Sequence, residues 1–164
     1  MMTDSKLFFG TALSCIQTFG TGVLLGDVVD IDAEDQFPFN GQSLSVVVNC
    51  DTRIIHAGAE STCEFYIVTA ENAALTTNAV IRARSGLIAV DDATALDVLV
   101  AADDYRALEN KIGGRLWNAE LPPAKFHRYF GLFFIANSVT PTAGAVTAFL
   151  TQDPSAWRPF AAAV

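Results

Sequence analysis

Apolar and polar residues alternate along most of this chain, in short runs divided by Gly, Asp, Asn and Pro. That period of two is the signature of half-buried strands. Ser43–Cys50 sets Leu44, Val46, Val48 and Cys50 against Ser45 and Asn49, with Val47 the one exception. Thr62–Thr69 places Cys63, Phe65 and Ile67 opposite Glu64, Tyr66 and Val68. Asn78–Arg84 divides Ala79, Ile81 and Ala83 from Val80, Arg82 and Arg84. The same pattern predicts strands over Leu87–Val90, Leu116–Leu121, Lys125–Ala136 and Gly144–Thr151, with shorter ones over Leu7–Phe9, Val23–Leu25 and Val28–Ile31. Many short β runs with turn residues between them indicate an all-β chain, an antiparallel β-sandwich or jelly roll. Leu44, Val46, Val48, Phe65, Ile67, Val146 and Leu150 are the expected core.

One segment departs from this pattern. Asp103–Gly114 begins with an Asp cap and an acidic first turn, spaces Tyr105, Leu108 and Ile112 for one helical face, and stops at Gly-Gly, which predicts a short helix on a connection. The residues before it, Ala93–Ala102, fit neither period. Length bounds the rest: 164 residues make one domain with a real core. The domain is read as spanning residues 1–164, with a short C-terminal extension from about residue 153.

The strand Lys125–Ala136 raises a question of function. One face carries Phe126, Phe130, Leu132, Phe134 and Ala136, with Arg128 among them, and the other carries His127, Tyr129, Phe133 and Ile135. A sandwich strand ordinarily buries one face and wets the other. Something is expected to cover Tyr129, Phe133 and Ile135, and another subunit is the expected cover. Trp157 and Phe160, on the extension, must also pack, either on their own sandwich or on a neighbour. Arg82 and Arg84 fall on one strand face, where they would either be solvated or form ion pairs across an interface.

Composition agrees with a chain that buries surface in partners. Apolar residues make up 51% and charged ones 17%, against about 25% charged in an ordinary soluble domain, and mean hydropathy is +0.34. A net charge of −8 repels phosphate at long range, so direct binding of nucleic acid is not expected. No apolar run approaches the ~20 residues of a membrane helix. Lys6–Cys15 has the outline of a lipoprotein signal. Asp4, the single lysine and the breaks at Gly10, Thr11 and Ser14 favour a mature N-terminus. Cys15, Cys50 and Cys63 form no C-x-x-C pair, and buried free thiols in a reducing compartment are expected.

Chemistry is sparse. His56 and His127 stand alone, without ligand spacing or a Gly-x-Ser-x-Gly elbow nearby. Gly20-Thr21-Gly22-Val23-Leu24-Leu25-Gly26 has its third glycine one place late for a dinucleotide loop. Asp27, Asp30, Asp32, Glu34 and Asp35 could attract a hard cation but lack calcium-loop spacing, so a solvated acidic loop is expected. No catalytic residue, cofactor or metal ligand is therefore assigned, and the chain is not expected to be an enzyme.

Short motifs in order along the chain carry a resemblance: Asp4-Ser5-Lys6-Leu7-Phe8-Phe9, Val28-Val29-Asp30-Ile31, Ser45-Val46-Val47-Val48-Asn49, Leu121-Pro122-Pro123, Arg128-Tyr129 and Gly144-Ala145-Val146-Thr147-Ala148-Phe149-Leu150. Together they resemble the small jelly-roll cement (decoration) proteins of tailed-bacteriophage capsids, the family typified by the Bordetella phage cement protein. The resemblance implies a structural virion protein on the capsid exterior, assembled in the host cytoplasm. Its partners would be the major capsid protein and further copies of itself, as a homodimer or homotrimer, with no nucleic acid and no membrane. Two other readings remain open: a carbohydrate-binding or adhesive β-sandwich module, and a jelly-roll enzyme with a concave polar pocket.

Overall fold

The computed structural model describes residues 7–31, 44–56, 61–92, 114–121 and 126–151. Nine strands lie among them: β1 (Phe8–Ser14), β2 (Val23–Asp30), β3 (Ser45–His56), β4 (Ser61–Ala70), β5 (Val80–Arg84), β6 (Ile88–Asp92), β7 (Arg115–Glu120), β8 (Tyr129–Ala136) and β9 (Ala143–Thr151). They form two antiparallel sheets packed face to face, a β-sandwich. Sheet I runs β1-β9-β3-β7 and sheet II runs β2-β8-β4-β5. Strand β6 belongs to both, antiparallel to β4 over Ser61–Cys63 and parallel to β3 at Ile55 and His56, so it joins the sheets along one side.

Alternation decides which side chains face inward. Val46, Val48 and Cys50 of β3 pair with Leu150, Ala148 and Val146 of β9, and all six belong to the buried core. From sheet II, Cys63, Phe65 and Ile67 meet them, paired with Ala136, Phe134 and Leu132. The rings of Phe65 and Phe134 pack at 5.2 Å with a 52° tilt, the oblique arrangement aromatic quadrupoles favour. All seven residues expected in the core are buried.

Three departures from the expected strands are local. Val23–Leu25 and Val28–Ile31 are parts of one strand, with a bulge between Leu25 and Val29. Gly26 supplies φ +68° there, and a Cβ at that position would collide with the Phe9 carbonyl oxygen, so β2 passes hard against β1 and the sandwich closes at that corner. Strand β8 begins at Tyr129 rather than at Lys125. Just before it, Arg128 makes two hydrogen bonds of 2.8 Å with the Asp30 carboxylate, and its carbonyl accepts the Ile31 N–H in register with the Asp30–Tyr129 pair, so the contact with β2 reaches one residue beyond the strand. His127 therefore precedes the strand, with Nδ1 3.3 Å from the Thr69 carbonyl oxygen. Strand β3 runs on to His56 through a bulge between Cys50 and Thr52. The helix expected over Asp103–Gly114 lies, up to residue 113, outside the described residues, as do Trp157 and Phe160.

Candidate interaction face

The outer side of sheet II gathers most of the expected site residues. Strand register sets Leu24 of β2, Phe133 of β8, Tyr66 of β4 and Arg84 of β5 in one row across four strands. Tyr66 stacks on Phe133 with ring centroids 5.3 Å apart and planes 16° from parallel. The Arg84 guanidinium lies over the Tyr66 ring, 5.4 Å from its centroid. Strands β8 and β5 flank β4 on opposite sides, so Phe133 and Arg84 reach Tyr66 from opposite directions. The adjacent row pairs Ile135 with Glu64, and Glu64 Oε2 accepts a 3.1 Å bond from Arg84 Nη1.

The apolar second face of β8 is covered in part from within the chain. Tyr129, Phe133 and Ile135 are all half-buried. Gly131 leaves a gap in the middle of the strand, and Leu75 from the β4–β5 loop fills it; a Cβ at Gly131 would collide with Leu75 Cδ1. Leu75 is held there in a left-handed conformation (φ +55°), costly for a branched side chain. The loop around it is fixed by Asn72, whose Oδ1 accepts the N–H groups of Thr76 and Thr77 at 2.9 Å each. At the opposite corner, the Tyr66 hydroxyl packs on Gly22 at the entry to β2. Burial holds the Tyr66 phenol above its usual range, with Glu64 adding to this and Arg84 opposing it.

The face nonetheless stays partly wet. Among the described residues the exposed large apolar side chains are Ile16, Phe19, Leu24, Val80, Ile81 and Leu87, and none lies on β1, β3, β7 or β9 of sheet I. Leu87, between β5 and β6, is 70% exposed. The loop carrying Ile16 and Phe19 is tied to β9 through Cys15 N–H to the Gly144 carbonyl, to the end of β8 through Gly20 N–H to the Ala136 carbonyl, and to the β8–β9 connection through Phe19 N–H to Thr140 Oγ1.

The two arginines expected to share a face have different partners. Ile67 pairs with Ala83 and Val68 with Ile81, so Arg82 is the extra residue of a bulge. Arg82 Nε donates to Thr69 Oγ1 at 2.8 Å, and its guanidinium lies 5.8 Å from the Phe126 ring centroid. Arg84 alone of the pair joins the Tyr66–Phe133 row. Tyr129 sits at the far end of β8 under the Arg128 guanidinium, 5.1 Å away, beside the Arg128–Asp30 ion pair. Sequence reasoning missed Tyr66, Glu64, Leu24 and Leu75. A glycine in the centre of an apolar strand, Gly131, was the available signal that something packs closely over it.

The other chemistry-bearing residues lie elsewhere. His56 is fully buried at the end of β3, and neither ring nitrogen has a hydrogen-bond partner among the described residues. Cys15, Cys50 and Cys63 are buried free thiols. Burial pushes Cys50 up to about 11 and Cys63 up to about 12, and it raises Cys15 too, with the neighbouring thiols and Asp51 adding to that shift. Such thiols are poor nucleophiles. Of the acidic stretch, Asp30 is engaged by Arg128 and Asp27 is exposed, while Asp32, Glu34 and Asp35 lie outside the described residues. Among the described residues no cluster of three or more His, Cys, Asp or Glu is placed to hold a metal ion. None of their helices is long and apolar enough to cross a membrane. Compared with protein-family models and with curated proteins, the chain matches none.

Proposed function

We propose that this chain is a structural virion protein, a jelly-roll capsid cement (decoration) protein that binds the exterior of a tailed-phage head and bridges neighbouring major capsid subunits. The observation that carries the reading is the one-sided distribution of exposed apolar side chains. Among the described residues Leu24, Val80, Ile81 and Leu87 lie on the strands and edge of sheet II, around a row built of Tyr, Phe and Arg, residue types that anchor protein interfaces. Ile16 and Phe19 lie on the β1–β2 loop that joins the two sheets. The resemblance of the short motifs to phage cement proteins supplies the kind of partner. A clamp across the seam between capsid subunits adds interface area that separation must undo, and many copies on a lattice turn a modest affinity into firm attachment. Self-association around local symmetry axes belongs to the same reading, with assembly in the host cytoplasm and final residence on the capsid exterior.

The carbohydrate-binding alternative needs an aromatic ring with a face open to a sugar. At Tyr66 the ring meets Phe133 on one side and Arg84 on the other, which weighs against it. The test is to add the purified chain to phage heads that lack it. Saturable occupancy at regular lattice positions and a raised temperature of head rupture are expected. A Phe133→Asp variant that stays folded should lose occupancy. A monodisperse monomer that leaves heads bare would overturn the reading, and saturable binding on a glycan array would put the alternative in its place.

A further inference from the structure

We propose that Arg84 is the anchor for a carboxylate side chain carried on an apolar segment of the protein that docks on the outer face of sheet II. This rests on the reading of that face as a docking surface and adds the chemistry of its partner. The ion pair with Glu64 is asymmetric: the Arg84 side chain is 54% exposed and the Glu64 side chain 14%. The carboxylate is the inner member and the guanidinium looks outward. A guanidinium has five N–H donors, and among the described residues Arg84 spends one hydrogen bond, from Nη1 to Glu64. Stacking over Tyr66 and the bond to Glu64 hold the group in place before any partner arrives, so little side-chain freedom remains to be lost on binding. The other arginines of this sheet are differently engaged. Arg128 gives both Nε and Nη2 to Asp30, and Arg82 turns to Thr69.

The surroundings define the rest of the ligand. Exposed Ile81 lies two pairs away on the same strand side of β4, and exposed Leu87 follows three residues after Arg84. Apolar side chains on either side of the carboxylate would cover them. A planar carboxylate matches the guanidinium fork. A polyanion such as nucleic acid would be repelled by the net charge of −8 far more strongly than a single carboxylate. At physiological ionic strength that repulsion is screened beyond ~8 Å, so contact is decided locally, at Arg84.

Two peptides that differ at one position provide the probe: acetyl-Val-Leu-Asp-Leu-Val-amide and its Asn counterpart, each titrated into isotope-labelled protein and followed by NMR. The Asp peptide should shift the Arg84 Nε–H and the Tyr66 ring signals and bind about tenfold tighter than the Asn peptide, the range expected of a charge-assisted hydrogen bond. Arg84→Gln should erase the preference while leaving the fold intact, and Arg84→Lys should keep part of it. Equal binding of the two peptides, a preference that survives Arg84→Gln, or no shift on this face at millimolar peptide would overturn the inference. A parallel measurement on heads separates it from the functional reading. If heads take up wild type and Arg84→Gln equally, the anchor falls and the cement reading stands. If the peptide preference holds while heads stay bare, the cement reading falls and the anchor stands.

Discussion

On the outer face of sheet I, Val47 of β3 and Phe149 of β9 meet at 0% and 1% exposure, with Phe8 of β1 stacked on Phe149 at 5.3 Å. On the outer face of sheet II, Tyr66 and Phe133 meet across β4 and β8 at the same centroid distance, yet both remain half-exposed, and Leu24 and Ile81 stand in water. The two faces use similar residues. They differ in what their polar neighbours do. Around Val47 the outer face holds Ser45 and Thr151, small and themselves buried, and exposed Asn118 and Glu120 stand on β7 beside Val47 and Ser45. Around Tyr66 the polar neighbours are Glu64 and Arg84, a charged pair whose guanidinium stays in solvent. On sheet I the charge stands on β7, beside a sealed apolar patch, whereas on sheet II it stacks on the aromatic row itself, where charge gives direction to a contact.

The contrast breaks first under charge insertion. Val47→Asp would bury a carboxylate with no cation beside it in the row, and the loss should exceed ~4 kcal/mol, enough to abolish folding of an ordinary domain. Failure to recover soluble folded protein is the expected outcome. A folded Val47→Asp protein with near-native melting would show that the outer face of sheet I is as open as that of sheet II.

Next in size is the response of the shared interior to alkali. Thiols buried between the sheets ionise at about 11 for Cys50 and about 12 for Cys63, against 9.0 when unfolded. Above pH 9 the unfolded chain releases these protons and the folded chain retains them. Stability is therefore intact below pH 9 and falls as pH climbs toward the folded values, by up to ~1.4 kcal/mol per pH unit for each thiol. The raised Tyr66 phenol adds to the same trend above its own unfolded range. Denaturant midpoints at pH 8 and pH 10.5 measure the fall. Replacing all three cysteines with alanine should flatten it, and an unchanged slope would mean that the thiols are wetter than their place in the core implies.

Much of this was legible in the alternation of residues, because each strand buries one face and the pattern records it. Val47 shows how an exception can be read. An apolar residue on the polar side of Ser43–Cys50 marks a strand covered on both faces, the same signal that Phe133 and Ile135 carry in β8. What escaped depends on contacts far apart in sequence. The apolar pattern of Lys125–Ala136 continues through Arg128 without showing where the strand begins or that Arg128 is held by Asp30. Val23–Leu25 and Val28–Ile31 looked like two strands because a bulge at Gly26 breaks the period without ending the pairing. Arg82 and Arg84 alternate correctly and still part company at a bulge. Leu75 sits in an irregular loop with no period at all, and its role exists only because Gly131 leaves room beneath it.

That contact offers a finer test of how far sheet II seals itself. Gly131→Ala puts a methyl into the space held by Leu75 Cδ1 and, less severely, Leu24 Cδ1, and overpacking of this kind costs about 1–3 kcal/mol. Leu75→Ala should be destabilising alone, yet combined with Gly131→Ala it should cost less than the sum of the two, because it removes the atom the methyl strikes. Strict additivity in a double-mutant cycle of melting temperatures would mean that Leu75 does not rest on β8, and the internal cover of this face would then be much thinner.

The smallest effect on stability should accompany the largest on association. Leu87 is 70% exposed on the connection from β5 to β6, so Leu87→Asp removes little buried area and leaves the new carboxylate in water. Its effect on folding should stay within ~0.5 kcal/mol, as for surface changes in general. A partner that seals the outer face of sheet II around Arg84 would find that carboxylate inside the contact, close to the guanidinium it needs, both repelling the incoming acid and competing for its site. Head occupancy, or retention of the acidic peptide, should drop at least as far as with Arg84→Gln, while far-UV circular dichroism and the melting curve stay those of the wild type. Unchanged binding by a folded Leu87→Asp protein would confine the docking surface to the Leu24–Phe133–Tyr66 part of the row and away from β5. A lowered melting temperature would instead place Leu87 in the fold's own packing, and sheet II would then resemble sheet I more closely than their exposures indicate.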